Sequence, residues 1–489
     1  MKTIKFTIAA ALLAWGVGCG GGNEGTKPKT PTGPTDSQGN AVSQAAANKF
    51  NAGLESLAQH DKANDWSDAV CTSTAQLFLD AAKEQGDKQF NEAVYNAGLA
   101  NQRCKKDNEA KALFKQVLDK DPKFHRAKMQ LALYAYAESG EKNIDDAIAK
   151  IREAAVVDAQ FKNVEALVNL GMLYIKRNNK SEDQDGKNDL ARAKRFIQSA
   201  LALDDGYMPA FNQLAVLYFE TAKQAAGHDT KRKSASAQSK QKKVDQQALE
   251  LAALVCSQAI RKNPKYAPIH NTAGMISVEL GNLNAAVSSF DAARRLDPSF
   301  YEAQMNYAAV NLTFRGFAQA EDAYRAALKI KPNDYDAHLG LALALRGAVD
   351  DSNFDKNVKE ASEELAKAKQ LQPERPETYY NEAILTQEYK AKSGGNSSEA
   401  ELLNAKKLFG EFISKAGSAA EFADAVKRSK DRMTEIDQII TFNKQSAEDR
   451  KRAEAEAKQK AAEAEAKGEE GANAEGGGDK DKKEEKKPE

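Results

Sequence analysis

Prolines that end helical runs recur at a fixed interval in the middle of this 489-residue chain. Pro264, Pro298 and Pro332 lie 34 residues apart, and Pro122 and Pro373 end similar runs. A fixed period of this length indicates a repeat array, in which each unit buries its apolar face against its neighbours. The spacing therefore predicts an all-α solenoid before any single residue is considered.

Small residues occupy fixed positions within the units. Two helices cross closely only where the contact point carries almost no side chain. When insertions between the two helices are allowed, each unit has Gly or Ala at one site of its first helix and Ala at one site of its second helix. The first-helix sites are Gly98, Ala132, Gly171, Ala215, Gly274, Ala308, Ala342 and Ala383, and the second-helix sites are Ala110, Ala147, Ala193, Ala252, Ala286, Ala320, Ala361 and Ala405.

This period and pattern resemble the tetratricopeptide repeat, most completely in the segments 267–300 and 301–334. The resemblance implies antiparallel helix pairs stacked into a right-handed superhelix. We predict a signal peptide at 1–18, a lipidated flexible tether at 19–44 and a degenerate first helix pair at 45–90. An array of about eight units follows at 91–415, then a capping helix at 416–442 and a low-complexity Ala/Glu/Lys tail at 443–489, within which residues 446–467 can form a transient single helix.

In this family the first helices line a concave groove that takes an extended peptide or a helix of a partner protein. Aligned to the family pattern, the predicted groove residues are Tyr95, Leu99, Met129, Leu133, Val168, Met172, Val216, Met275, Met305, Leu339, Leu343, Tyr380 and Ile384. They are apolar and include several methionines, which adapt to irregular surfaces. The alternative is that these residues only pack helix on helix.

The N-terminal sequence predicts the location of the protein in the cell. An apolar stretch, Phe6–Trp15, follows two lysines and is too short to span a membrane. It ends in Val17-Gly18-Cys19, which resembles the lipobox of bacterial lipoproteins, although Gly16 stands where that family prefers Leu. The resemblance implies lipidation of Cys19, and a residue other than Asp at position 20 favours the periplasmic face of the outer membrane. The alternative is an ordinary secreted protein.

One insertion, between residues 222 and 246, concentrates positive charge. After Lys223 at its start, its basic residues are Lys231, Arg232, Lys233, Lys240, Lys242 and Lys243. Such a segment can contact anionic lipid headgroups or an acidic partner. The alternative is a solvated loop without a ligand.

The remaining cysteines predict one cross-link. Cys71 lies near the start of one helix and Cys104 near the end of the next antiparallel helix, so the two ends are neighbours. In an oxidising periplasm they can form a disulfide. Cys256 falls on the apolar face of a second helix and is expected in the core.

Composition and motifs argue against catalysis and nucleic-acid binding. Lys+Arg and Asp+Glu both number 71, so the chain lacks the net positive charge of a nucleic-acid binder. No catalytic or metal-binding motif appears, and the five histidines are isolated. We therefore expect no catalytic residues, no metal, no cofactor and no small-molecule substrate.

The combination predicts an outer-membrane lipoprotein scaffold for envelope proteins. Its architecture resembles the tetratricopeptide lipoproteins of myxobacterial adventurous gliding motility. Two alternatives remain open at this point: an assembly factor that pilots an outer-membrane protein such as a pilus secretin, and a regulator of a peptidoglycan enzyme.

Overall fold

The structure, a computed structural model, describes residues 34–36, 39–63, 65–86, 90–139, 142–155, 163–183, 186–228, 245–392 and 399–474. The predicted signal peptide, Cys19, most of the tether and the basic residues of the 222–246 insertion lie outside these ranges.

Helices form the regular structure of the described residues. They are α1 (Gln44–Ala63), α2 (Asp68–Glu84), α3 (Asn91–Arg103), α4 (Asp107–Lys120), α5 (His125–Glu138), α6 (Ile144–Ala155), α7 (Val164–Arg177), α8 (Asp189–Leu203), α9 (Met208–His228), α10 (Gln246–Lys262), α11 (Ala267–Glu279), α12 (Leu283–Leu296), α13 (Tyr301–Thr313), α14 (Phe317–Ile330), α15 (Tyr335–Gly347), α16 (Phe354–Leu371), α17 (Pro376–Glu388), α18 (Glu399–Ala416) and α19 (Ala423–Ala474). None of them has the length and apolar character that a membrane span requires, within the described ranges.

The chain divides into a first unit, residues 1–310, and a second unit, residues 311–489. In the first unit, helix pairs pack as α1–α2, α3–α4, α5–α6, α7–α8, α9–α10 and α11–α12. In the second unit, α15 packs on α14 and α16, α17 packs on α18, and α19 packs on α18. We call the odd-numbered helices up to α17 first helices and their even-numbered partners second helices. The all-α architecture of stacked helix pairs is as predicted.

The small sites explain why the paired helices approach closely. All sixteen predicted sites are buried. A Cβ atom added to Gly98 would lie 2.6 Å from the Phe114 ring, and one added to Gly274 would lie 2.5 Å from the Phe290 ring. Each ring lies one turn after the small residue of the second helix, so it fills the space that the glycine leaves.

The first helix pair, which the sequence analysis treats as degenerate, also packs a ring of its second helix over a glycine of its first helix. A Cβ on Gly53 of α1 would lie 2.6 Å from the ring of Phe78 on α2. Phe78 is fully buried and contacts Phe50 with a ring-centroid distance of 5.5 Å. The α1–α2 pair is therefore built like the later repeats, although it lacks their proline.

A disulfide joins Cys71, early in α2, to Cys104, which directly follows α3. Their Cα atoms are 6.2 Å apart. Because the cross-link closes a loop with a sequence separation of 33 residues, it stabilises the fold by about 3 kcal/mol. Cys256 lies in the core of the α9–α10 pair, and burial raises the pKa of its thiol to about 12.

The last helix is longer than the sequence analysis expects. Ile436 and Ile440 of α19 pack in the core formed with α17 and α18, as a capping helix should. The helix then continues past Asn443, the predicted start of the tail, to Ala474. Acidic and basic side chains four residues apart, such as Glu454 and Lys458, support an exposed helix without burial.

Candidate partner-binding surface

Polar side chains link one first helix to the next in the first unit. Gln102 of α3 donates to Gln130 of α5 at 3.3 Å, and Gln130 donates to Glu165 of α7 at 3.2 Å. Farther along, Thr272 of α11 donates to Asn212 of α9 at 2.7 Å, and Asn306 of α13 donates to Asn271 of α11 at 2.9 Å. We call these residues, with Asn169 of α7, the first-helix surface. No second helix contributes to these bonds, so the surface belongs to the row of first helices.

An amide recurs two residues before the small site of the first helix. The residues at this position are Asn96, Gln130, Asn169, Gln213, Thr272, Asn306, Gly340 and Asn381. Asn169 and Asn306 are half-buried, and their side-chain NH2 groups donate to the Glu165 carbonyl oxygen and to Asn271, respectively. The sequence analysis missed this row, although its constant offset from the small site was a signal that could have found it.

The predicted groove residues divide into two groups. Buried within the fold are Tyr95, Leu99, Met129, Leu133, Val168 and Ile384, and half-buried are Met172, Val216, Met275, Met305, Leu339, Leu343 and Tyr380. The buried group differs from the expectation of a groove lining, because neighbouring helices already cover these side chains. What a partner can reach on the first helices is therefore more polar than the sequence analysis predicts.

A cluster of polar side chains on this surface surrounds Glu165, a half-buried residue in the first turn of α7. Gln130, which is fully buried, donates to Glu165 and also lies 3.5 Å from the Tyr95 hydroxyl. Tyr207, directly before α9, interacts electrostatically with both Glu165 and Tyr95. Three successive first helices, α3, α5 and α7, and the residue before α9 thus supply one carboxyl, one amide and two phenols to this cluster.

Burial dominates the electrostatics of this cluster. It raises the pKa of Glu165 to about 7, against the lowering effect of the charges on Arg126 and Arg103 and of the Gln130 hydrogen bond. Burial, with the nearby carboxylate, also raises the pKa of Tyr95 and of Tyr207. Arg103 is already paired with Asp61 through bonds of 2.8 and 3.0 Å. The carboxyl of Glu165 is therefore poorly compensated by its surroundings.

A different polar cluster lies in the second unit. His338 of α15 contacts the Glu364 carboxylate through Nδ1 and the carbonyl oxygen of Pro332 through Nε2, the latter at 2.8 Å. Lys367 donates to Glu364 at 2.7 Å. Burial opposes ionisation of Glu364, but the hydrogen bonds from Lys367 and His338 outweigh it and hold the pKa of this carboxyl below its usual value.

Within the described ranges, no group of three or more His, Cys, Asp or Glu side chains is placed to hold a metal ion. The polar side chains described above form hydrogen bonds and ion pairs with one another. Their arrangement fits recognition of a polypeptide, which offers a donor and an acceptor at almost every residue.

No protein-family model and no curated protein matches the sequence. Three solved bacterial structures match parts of it. A tetratricopeptide protein of Thermus thermophilus is 23% identical over 45% of this chain and 99% of its own, with a TM-score of 0.35. One from Parabacteroides merdae is 14% identical over 63% and 98%, with a TM-score of 0.36. Pseudomonas aeruginosa pilF is 16% identical over 53% and 96%, with a TM-score of 0.37.

These likenesses are partial, and the fold assignment rests on the chain itself. Successive helix pairs close over small residues, and the pairs recur with the 34-residue spacing of the prolines. The chain has the tetratricopeptide-repeat fold.

Proposed function

We propose that this chain is a lipid-anchored scaffold of the bacterial envelope, which holds partner proteins through its first-helix surface on the periplasmic side of the outer membrane. The observation that carries the proposal is the amide row, in which Asn or Gln, such as Asn169 and Asn306, occupies the same position in six of the eight repeats. We assign the chain no catalytic role.

The amide row suits an extended partner segment. Each amide side chain both donates and accepts, as does each peptide unit of a bound segment. Contacts to the backbone give affinity with little dependence on the partner's sequence, while neighbouring side chains add selectivity. This division of roles fits a scaffold that holds several different proteins.

The anchor is the second part of the proposal. It is supported by the apolar stretch that ends in Val17-Gly18-Cys19 and by Gly20. A gliding-motility machine, the setting of the lipoproteins that the chain resembles, is the assembly we favour. We expect Cys19→Ala to leave the outer-membrane fraction and become soluble in the periplasm, while Cys256→Ala stays attached. A Cys19→Ala protein that still sediments with the outer membrane would contradict the anchor.

Partner binding is tested by crosslinking in cells followed by affinity purification and mass spectrometry. We expect several envelope proteins to be recovered together, and the paired change Asn169→Leu and Asn306→Leu to lose them. The matched control is Gln258→Leu, an exposed amide on the second helix α10. Unchanged recovery with the paired variant would remove the amide row from the proposal. Recovery of one secretin or porin, lost after its assembly, would favour a pilot instead.

A further inference from the structure

Among the described residues, no cation forms an ion pair with the carboxyl of Glu165. Within the described ranges, its side chain accepts a hydrogen bond from the neutral amide of Gln130. Among the described residues, neither Arg103 nor Arg126 comes within ion-pair distance of it, and Arg103 is held by Asp61. An enclosed carboxylate without a cation is costly, because burial removes water that nothing else replaces.

Helix packing and hydrogen bonds hold the side chains around Glu165 in fixed positions. Gln130 is fully buried and Tyr95 is 3% exposed, so the packing of α3 and α5 fixes both of them beside the carboxyl. The hydrogen bonds that join Gln102, Gln130 and Tyr95 fix the orientation of the Gln130 amide toward Glu165. Tyr207, which directly precedes α9, interacts electrostatically with Glu165. Opposite charges attract more strongly where water is partly excluded, so a carboxylate at this position favours a cation.

We propose that the Glu165 cluster, consisting of Tyr95, Gln130, Glu165 and Tyr207, receives a lysine or arginine side chain from an extended partner segment. The inference rests on the proposed function, because the segment is the one held along the first-helix surface. The amide row holds the backbone, and the Glu165 cluster selects segments with a basic residue at one position. The incoming cation balances the negative charge of Glu165, with which Arg126 forms no ion pair.

The experiment is a selection of short random peptides from a display library against the full chain, followed by fluorescence anisotropy on the selected peptides. We expect enrichment of Lys or Arg at one position. Replacing that residue by the neutral, similarly sized norleucine should weaken binding to the native chain by about tenfold or more. The same replacement should have little effect on binding to Glu165→Gln.

The control variant is Glu250→Gln, an exposed carboxyl on the second helix α10 that carries the same change in net charge. It should keep the preference for the basic residue. The preference of the native chain should also weaken as the pH falls below about 7, because a proton on Glu165 competes with the cation. Arg126, Arg103, Tyr95 and Tyr207 also interact electrostatically with this carboxyl.

The outcomes separate the two proposals. Peptides that bind without a basic preference, or a preference that survives in Glu165→Gln, would overturn this inference and leave the scaffold proposal standing. Failure of the library to yield any binding peptide would count against both proposals. A preference that follows Glu165 and disappears at low pH would establish the cluster as the subsite for a basic side chain.

Discussion

Glu165 in the first unit and Glu364 in the second are both carboxyls withdrawn from solvent, yet their pKa values are displaced in opposite directions. The pKa of Glu165 is raised to about 7, whereas that of Glu364 is lowered. Burial pushes both values upward. The difference comes from partners: Glu364 has His338 and Lys367 within hydrogen-bonding distance, while Glu165 has one neutral amide. Among the described residues, Glu364 has a cationic hydrogen-bond partner, whereas the only side-chain donor to Glu165 is a neutral amide.

The largest effect should come from removing the satisfied carboxyl. Glu364→Gln leaves His338 enclosed without its anionic partner, and breaking a buried pair in this way costs about 3 kcal/mol. Because a repeat array need not unfold in one step, the measurement is hydrogen exchange of the amides in α15 and α16. Glu363→Gln, at the exposed neighbouring position, is the control.

The sign of the pH dependence follows from the direction of the shift. Since the folded-state pKa of Glu364 is lowered, its contribution is present above the unfolded pKa and is lost as the pH falls through the folded value. The gap between the native chain and Glu364→Gln should therefore close in acid. Equal exchange rates at neutral pH would show that the pair contributes nothing.

A smaller effect of opposite sign is expected at Glu165. The pKa of this group rises from 4.5 to about 7 on folding, so its ionised form destabilises the fold above about pH 7, and this penalty disappears as the pH falls toward the unfolded value. Glu165→Gln should stabilise α5 and α7 by about 1–3 kcal/mol at pH 8 and by almost nothing at pH 4. Hydrogen exchange at both pH values measures this. A destabilised variant at pH 8 would mean that the carboxylate already has a cation.

The smallest effect should come from Lys367, whose side chain is 53% exposed. Lys367→Met should destabilise α16 by about 0.5 kcal/mol, because an ion pair with one exposed partner is weakened by solvent. It should also raise the pKa of Glu364, measured by NMR titration of that carboxyl. If the pKa stays where it is, His338 alone accounts for the low value.

The repeat architecture could be predicted because close packing leaves a trace in the sequence. A residue such as Gly98 or Gly274 must be small wherever a ring from the second helix covers it, and the offset is the same in every unit. The α1–α2 pair was read as degenerate for a related reason. Gly53 and Phe78 pack against each other as the glycine and ring of later repeats do. No proline follows this pair at the repeat spacing, so the sequence did not show where the unit begins.

The binding surface was harder to predict, because it depends on contacts between repeats. The family pattern identifies positions on a first helix, but it does not say which neighbouring side chain covers them. Leu133 and Met129 occupy predicted groove positions and are nevertheless buried. The link from Gln130 to Glu165 joins different repeats at unequal offsets from their small sites, so no pattern within a single repeat reveals it.

The disulfide between Cys71 and Cys104 has a mechanical consequence. Tension applied at the N-terminus would first unravel α1 and the start of α2, and would then reach the cross-link. Beyond that point the disulfide transmits the pulling force directly from Cys71 to Cys104 and on to α4. The residues between the two cysteines then carry none of this force. The sequence separation of 33 places 32 residues between the cysteines, about 110 Å of extended chain, and these cannot be drawn out while the bond is intact. The bond thus acts as a mechanical stop at the end of the array that would bear the pull of a membrane tether.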